Sequence, residues 1–330
     1  MFVALDHVAL TLTSQAEFIE ALRNEGKVLL FNIHGTLQQT MDMVKATEAM
    51  QTNFDSQKPN EVLVVPIDWA CADPGGLLGK VEGDLGLPTA MTYHEDKDNS
   101  KIAGGALWKF FSGLKKEKWS KPLNVIAHSM GNRVLRCVGK SAAKDSSWHT
   151  DALKEGTTLL QAAPEDLKNN ENLFDNIFLV SADIPESVFD KPDAALVDDE
   201  EAEHGLQSGV AALAVMTKRM HVLHADGHDR PLNASFLLNA ENWTGKARLG
   251  SRGPYTSGLL EGEKAEVWHK IGDALEKYEG IETDGNTNYS NVHVQDCSGW
   301  NREAAPVIGH SYQFAPKSVA YYLKHMIKGV

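Results

Sequence analysis

The chain has 330 residues and a mass of 36.2 kDa, room enough for one large α/β domain. A formal charge of −13 and a pI near 5.4 argue against a nucleic-acid binder and against a protein held on anionic lipid by charge. Three widely spaced cysteines (Cys71, Cys137, Cys297) argue against a disulfide framework or a Cys-x-x-Cys metal knuckle, and favour a reducing, cytoplasmic compartment.

The opening "MFVALDHVALTLTSQ" meets Asp6 and His7 early and has no basic start, so no signal peptide is expected. Its two short apolar runs predict a hairpin or a pair of edge strands. Six strands follow: "KVLLFNI" (27–33), "EVLVVPI" (61–67), "PLNVIA" (122–127), "NIFLVSA" (176–182), "RMHVLHA" (219–225) and "SNVHVQD" (290–296). Most are continuous apolar runs, as expected of strands covered on both faces of a parallel sheet. Between them, Ile102, Ala106, Phe110 and Leu114 recur at helical spacing, and "GEKAEVWHKIGDALEKYEG" (262–280) opens on acids and closes on Gly280. Strand–helix alternation predicts a doubly wound α/β fold, a mostly parallel sheet with helices on both faces. We expect a single domain over 1–330. "GVAALAV" (209–215) is too short to span a bilayer.

Two stretches break the rhythm. Residues 69–100 are rich in Gly, Pro and Asp, and 184–209 carry an acidic run. Both follow strands whose C-terminal ends form the rim where open α/β sheets bind ligands, so they are candidate cap insertions.

"NVIAHSMGNRVL" (124–135) drives a buried strand into a serine and restarts at once as a helix. Such an elbow exposes a hydroxyl for attack, and it requires small residues two before and two after the serine, here Ala127 and Gly131. A serine nucleophile needs a base, a group that orients the base, and donors for the oxyanion. His34-Gly35-Thr36 ends the 27–33 strand, so the Thr36 N–H can join that of Met130 as an oxyanion donor. His310, in "GHSYQF", lies beyond the last strand. His128 is excluded as the base of Ser129, because adjacent strand side chains point to opposite faces. "HADGHDRPLNAS" (224–235) supplies Asp226 and Asp229, and Asp183 comes one strand earlier. Asp226 also fits a D-G turn, and Asp229 fits a helix N-cap ahead of Pro231. The order Ser129, Asp229, His310, each after its own strand, is the order of α/β hydrolases.

Here the chain resembles the α/β-hydrolase superfamily, within it a little-characterised, mainly bacterial branch of hydrolases of unknown function. The similarity rests on the "IAHSMGNRVL" elbow, the early His34-Gly35, Asp229-x-x-Leu232-x-x-Ser235, "RLGSRGP" (248–254) and His310-Ser311-Tyr312, and it runs from about residue 27 to the C-terminus. Only 69–100 and 184–209 depart from the pattern. The resemblance implies hydrolysis of a small-molecule ester or related acyl bond through an acyl-enzyme. Ser129 would be the nucleophile, His310 the base, Asp229 its orienter, and Thr36 and Met130 the oxyanion donors. No metal or organic cofactor is implied. Two alternatives remain: an inactive binding protein on the same fold, and a metal-dependent hydrolase built on His221, His224, Asp226, His228 and Asp229. That cluster does not meet the H-x-H-x-D-H spacing of metallohydrolases.

Overall fold

The computed structural model describes residues 2–6, 9–35, 40–71, 90–145, 172–189, 209–225, 229, 232, 248–253, 281–283, 287–289, 291–304 and 310–327. Thr36, Asp226 and His228, most of the candidate caps and the 262–280 helix lie outside these residues.

β1 (Phe2–Asp6) and β2 (Ala9–Thr13) form an antiparallel pair that is a separate two-stranded sheet. α1 (Gln15–Asn24) starts at Ser14, whose hydroxyl accepts from the Glu17 N–H while the Glu17 carboxylate accepts from the Ser14 N–H, a capping box. The main sheet contains β3 (Val28–Ile33), β4 (Val62–Ile67), β5 (Asn124–His128), β6 (Phe174–Val180), β7 (Thr217–His224) and β10 (Val292–Asp296). All pairs are parallel, in the order β10-β7-β6-β5-β3-β4. β8 (Ile281–Thr283) and β9 (Thr287–Tyr289) form a small antiparallel hairpin that the sequence pattern did not reveal.

Strand residues divide strictly between two cores. Leu29, Phe31, Ile33, Val125, Ala127, Ile177 and Leu179 meet α1, α3 (Ala90–Lys116), α4 (Gly131–Lys144) and α5 (Val210–Val215). The intervening Leu30, Ile126, Phe178 and Val180 meet α2 (Thr40–Gln57) and the C-terminal helix. This two-sided burial is why the strands read as unbroken apolar runs.

α3 begins at Ala90, well before the 102–114 helix expected from periodicity. Its first turns, "AMTYHEDKDNS", carry no apolar stripe. Asp96 and Ser100 are both buried, so a polar pair one turn apart takes the place of an apolar signal there.

The remaining described α-helices are α6 (Leu249–Arg252), α7 (Ser298–Ala304) and α8 (Pro316–Met326), the last entered through Pro316. After β4 the chain returns past β3 to make β5, and α2 and α4 leave these neighbours on opposite faces of the sheet. The C-terminal ends of β3 and β5 therefore flank a topological switch point, the usual ligand crevice of an open α/β sheet. Among the described residues, no helix is long and apolar enough to cross a membrane.

Candidate active site

β5 ends at His128 and α4 begins at Gly131, so Ser129 and Met130 alone make the turn. Ser129 has φ +52°, a left-handed conformation that a non-glycine residue holds only when its surroundings enforce it. Here they do. The Ser129 N–H donates to Val180 O at 3.0 Å, and its carbonyl accepts from Asn132 N at 3.0 Å and Asp183 N at 3.2 Å. The buried Asn132 amide also lies 3.0 Å from both Ala127 O and Ser129 O. A Cβ on Gly131 would sit 2.5 Å from the carbonyl oxygens of Ile33 and His34, which is why this position must be glycine. A Cβ on Gly35 would come within 2.9 Å of Ser129 Cβ, so the His34-Gly35 loop and the β5–α4 turn are packed backbone to side chain.

Met130 is buried, and among the described residues its N–H is paired with no backbone carbonyl. The His34 ring is fixed by an Nδ1–H bond to Gly35 O at 2.7 Å and by the Trp69 N–H at 3.3 Å on Nε2, and it stacks on the Trp69 indole.

His310 Nδ1–H donates to both oxygens of Asp229, at 2.8 and 2.9 Å, and the Asp229 carboxylate is fully buried. This tautomer leaves Nε2 with its lone pair, the form a general base requires. The same carboxylate accepts from the Leu232 N–H at 3.1 Å, the i to i+3 bond of an N-cap residue, beside its contact with the histidine. Among the described residues the Ser129 hydroxyl closes no hydrogen bond to His310. Such bonds are commonly long before substrate binds.

Asp183 is committed elsewhere. Its carboxylate lies between two buried guanidiniums, 3.5 Å from Arg133 Nε and 3.3 Å from Arg248 Nε. Arg133 is the second residue after Gly131 in the elbow helix, and Arg248 opens "RLGSRGP". The latter segment clamps the ends of β6 and β7: Gly250 N donates to Ala182 O, Ala225 N donates to Gly250 O, and a Cβ on Gly250 would lie 2.2 Å from Ala182 N. This ionic support beneath the elbow escaped the sequence reading, because isolated arginines ordinarily signal a solvated surface.

The His128 ring meets the loop that carries His310. Its Nε2–H donates to the His310 carbonyl at 2.8 Å, and burial, with the nearby His310 and His34, lowers its pKa to about 3.

The alternative metal cluster is not assembled by the described residues. His221 bonds Tyr321 through Nδ1 and stacks between Phe178 and His293, while Asp229 turns to His310. Among the described residues no three His, Cys, Asp or Glu side chains are grouped so as to hold a metal ion.

A six-stranded parallel sheet in this order, covered by helices on both faces, is the architecture of an α/β hydrolase. Residues 11–274 match the family described as alpha/beta hydrolase of unknown function (DUF900), and the chain belongs to that family. The matched stretch contains Ser129 and Asp229, and His310 lies beyond it. No curated protein matches the chain.

Proposed function

We propose that this hydrolase is a serine esterase that cleaves an ester or related acyl bond through an acyl-enzyme. Ser129 Oγ attacks the carbonyl carbon while His310 Nε2 takes its proton. The tetrahedral intermediate then collapses, expelling the alcohol, which receives the proton from His310. Water, deprotonated by the same nitrogen, releases the acid and regenerates Ser129. Asp229 holds the productive tautomer and stabilises the imidazolium, and the Met130 and Thr36 N–H groups serve the oxyanion.

The observation that carries this reading is the bond of His310 to the buried Asp229 carboxylate, on a loop tied through His128 to the strand end that presents a left-handed Ser129 at the switch point of the sheet. At the start of the first candidate cap, Trp69 and Cys71 contact the His34-Gly35 loop. The three free thiols support a reducing, cytoplasmic setting.

The test is steady-state and burst kinetics on p-nitrophenyl esters of increasing acyl length, for the parent and for Ser129→Ala. The parent should show an acyl-length optimum, and the variant should lose several orders of magnitude in kcat. A folded Ser129→Ala protein with the parent's rate would reject the serine mechanism.

A further inference from the structure

We propose that His128 is a positioning residue for the general base: its imidazole ties the carbonyl of His310 to the end of β5 and so aims His310 Nε2 at Ser129. The inference rests on the serine-esterase reading above and adds a residue to it.

His310 belongs to no helix or strand. Asp229 grips only one end of its ring, and a ring held at Nδ1 alone can still swing about that contact, carrying Nε2 with it. A second fixed point on the backbone removes this freedom. The His310 carbonyl provides that point, because it accepts from His128 Nε2–H at 2.8 Å and lies 3.5 Å from Ser181 Oγ. Two residues on, the buried Tyr312 hydroxyl donates to Leu223 O at 2.7 Å and accepts from the Ser181 N–H at 3.2 Å, pinning the loop to the ends of β6 and β7.

His128 also reaches the opposite wall of the site. A Cβ on Gly35 would lie 3.3 Å from His128 Nδ1, so one imidazole stands between the oxyanion loop and the base loop. The ring centroids of His128 and His310 are 4.7 Å apart. A second cation at that distance would oppose the imidazolium that His310 becomes during catalysis, and burial keeps His128 neutral. The donor bond to a carbonyl fixes its tautomer as Nε2–H, so it cannot accept the Ser129 proton through that nitrogen.

The experiment compares His128→Gln, whose amide nitrogen reaches about as far as Nε2, with His128→Phe, which keeps the ring and loses the donor. Ser129→Ala runs beside them, and the substrate is p-nitrophenyl acetate. A misplacement of about 1 Å at a catalytic group costs roughly 100-fold, so His128→Phe should lose about 10- to 100-fold in kcat with KM little changed. His128→Gln should recover most of that loss. The downfield NMR signal of the His310 Nδ1–H should broaden or shift in the Phe variant and persist in the Gln variant. If His128→Phe does not fold, His128→Asn, whose amide is too short to reach, takes its place with the same expectation.

Parent-like kcat and an unmoved proton signal in His128→Phe, with Ser129→Ala inactive, overturn the positioning role alone. Equal damage in the Gln and Phe variants reduces His128 to a packing residue and also overturns it. Parent-like activity in Ser129→Ala rejects the serine mechanism and this inference with it.

Discussion

Acidification should unfold this protein through histidines that the fold keeps neutral. His128 has its pKa lowered to about 3 by burial, with His310 and His34 adding to the effect. His221 is held well below 6.5 by burial, then by the charges His325, His293 and Arg219 would place around it. His293 and His325 are each lowered to about 4, again by burial first and then by Arg219. In the unfolded chain all four take up a proton near pH 6.5. Folded values below unfolded ones mean that the unfolded state binds more protons between them. Stability is therefore complete above about pH 6.5 and is lost as pH falls toward the folded values. Each such histidine contributes a slope of about 1.4 kcal/mol per pH unit inside its window. His128, lowered to about 3, alone contributes roughly 2 kcal/mol between pH 6.5 and 4.5, and His221 adds to the loss in the same direction. That is a large part of the ~5 kcal/mol by which a marginal domain is stable. Urea unfolding followed by far-UV circular dichroism at about pH 7, 6 and 5 reads the slope directly. His221→Phe preserves the ring that stacks on Phe178 and should remove about 1.4 kcal/mol per unit from it. Stability that stays flat or rises on acidification, or an unchanged slope in His221→Phe, would refute the reasoning.

Three further outcomes follow from the geometry. Asp229→Asn keeps an oxygen for the Leu232 N–H but offers His310 the wrong partner, so kcat should fall by roughly four orders of magnitude with little change in Tm. Asp183→Asn should do the reverse. It leaves the Arg133 and Arg248 guanidiniums buried without their carboxylate, costing about 3–5 kcal/mol in urea titration while the folded fraction keeps its kcat. Gly131→Ala puts a methyl against two backbone oxygens that cannot retreat, so its loss should exceed the ~1–3 kcal/mol of ordinary overpacking. A Gly131→Ala protein with the parent's Tm would contradict the close approach of elbow and β3.

The strands were legible because each is covered on both faces, which leaves runs such as "VLLFNI" with hardly a polar residue in them. The elbow was legible because its backbone contacts demand small residues at fixed spacing, and Gly131 shows the clash that enforces this. Side chains whose partners are distant in sequence were not. Nothing near Arg133 announces Asp183 or Arg248, and alternation along β5 says only that His128 faces away from Ser129, not that it meets a carbonyl 182 positions later. The choice of Asp229 over Asp183 rested on the resemblance, and the two buried arginines give Asp183 a physical reason to stand aside. Asp226 and Thr36 lie outside the described residues, and their roles rest on the sequence.

The most direct test of the central claim is intact-protein mass spectrometry after reaction with a fluorophosphonate, followed by peptide mapping. The account predicts one adduct, on the peptide bearing Ser129, formed by the parent and by Asp183→Asn, absent from Ser129→Ala and strongly slowed in His310→Ala. Stoichiometric labelling that persists in a folded Ser129→Ala protein, or that maps to another residue, would contradict it.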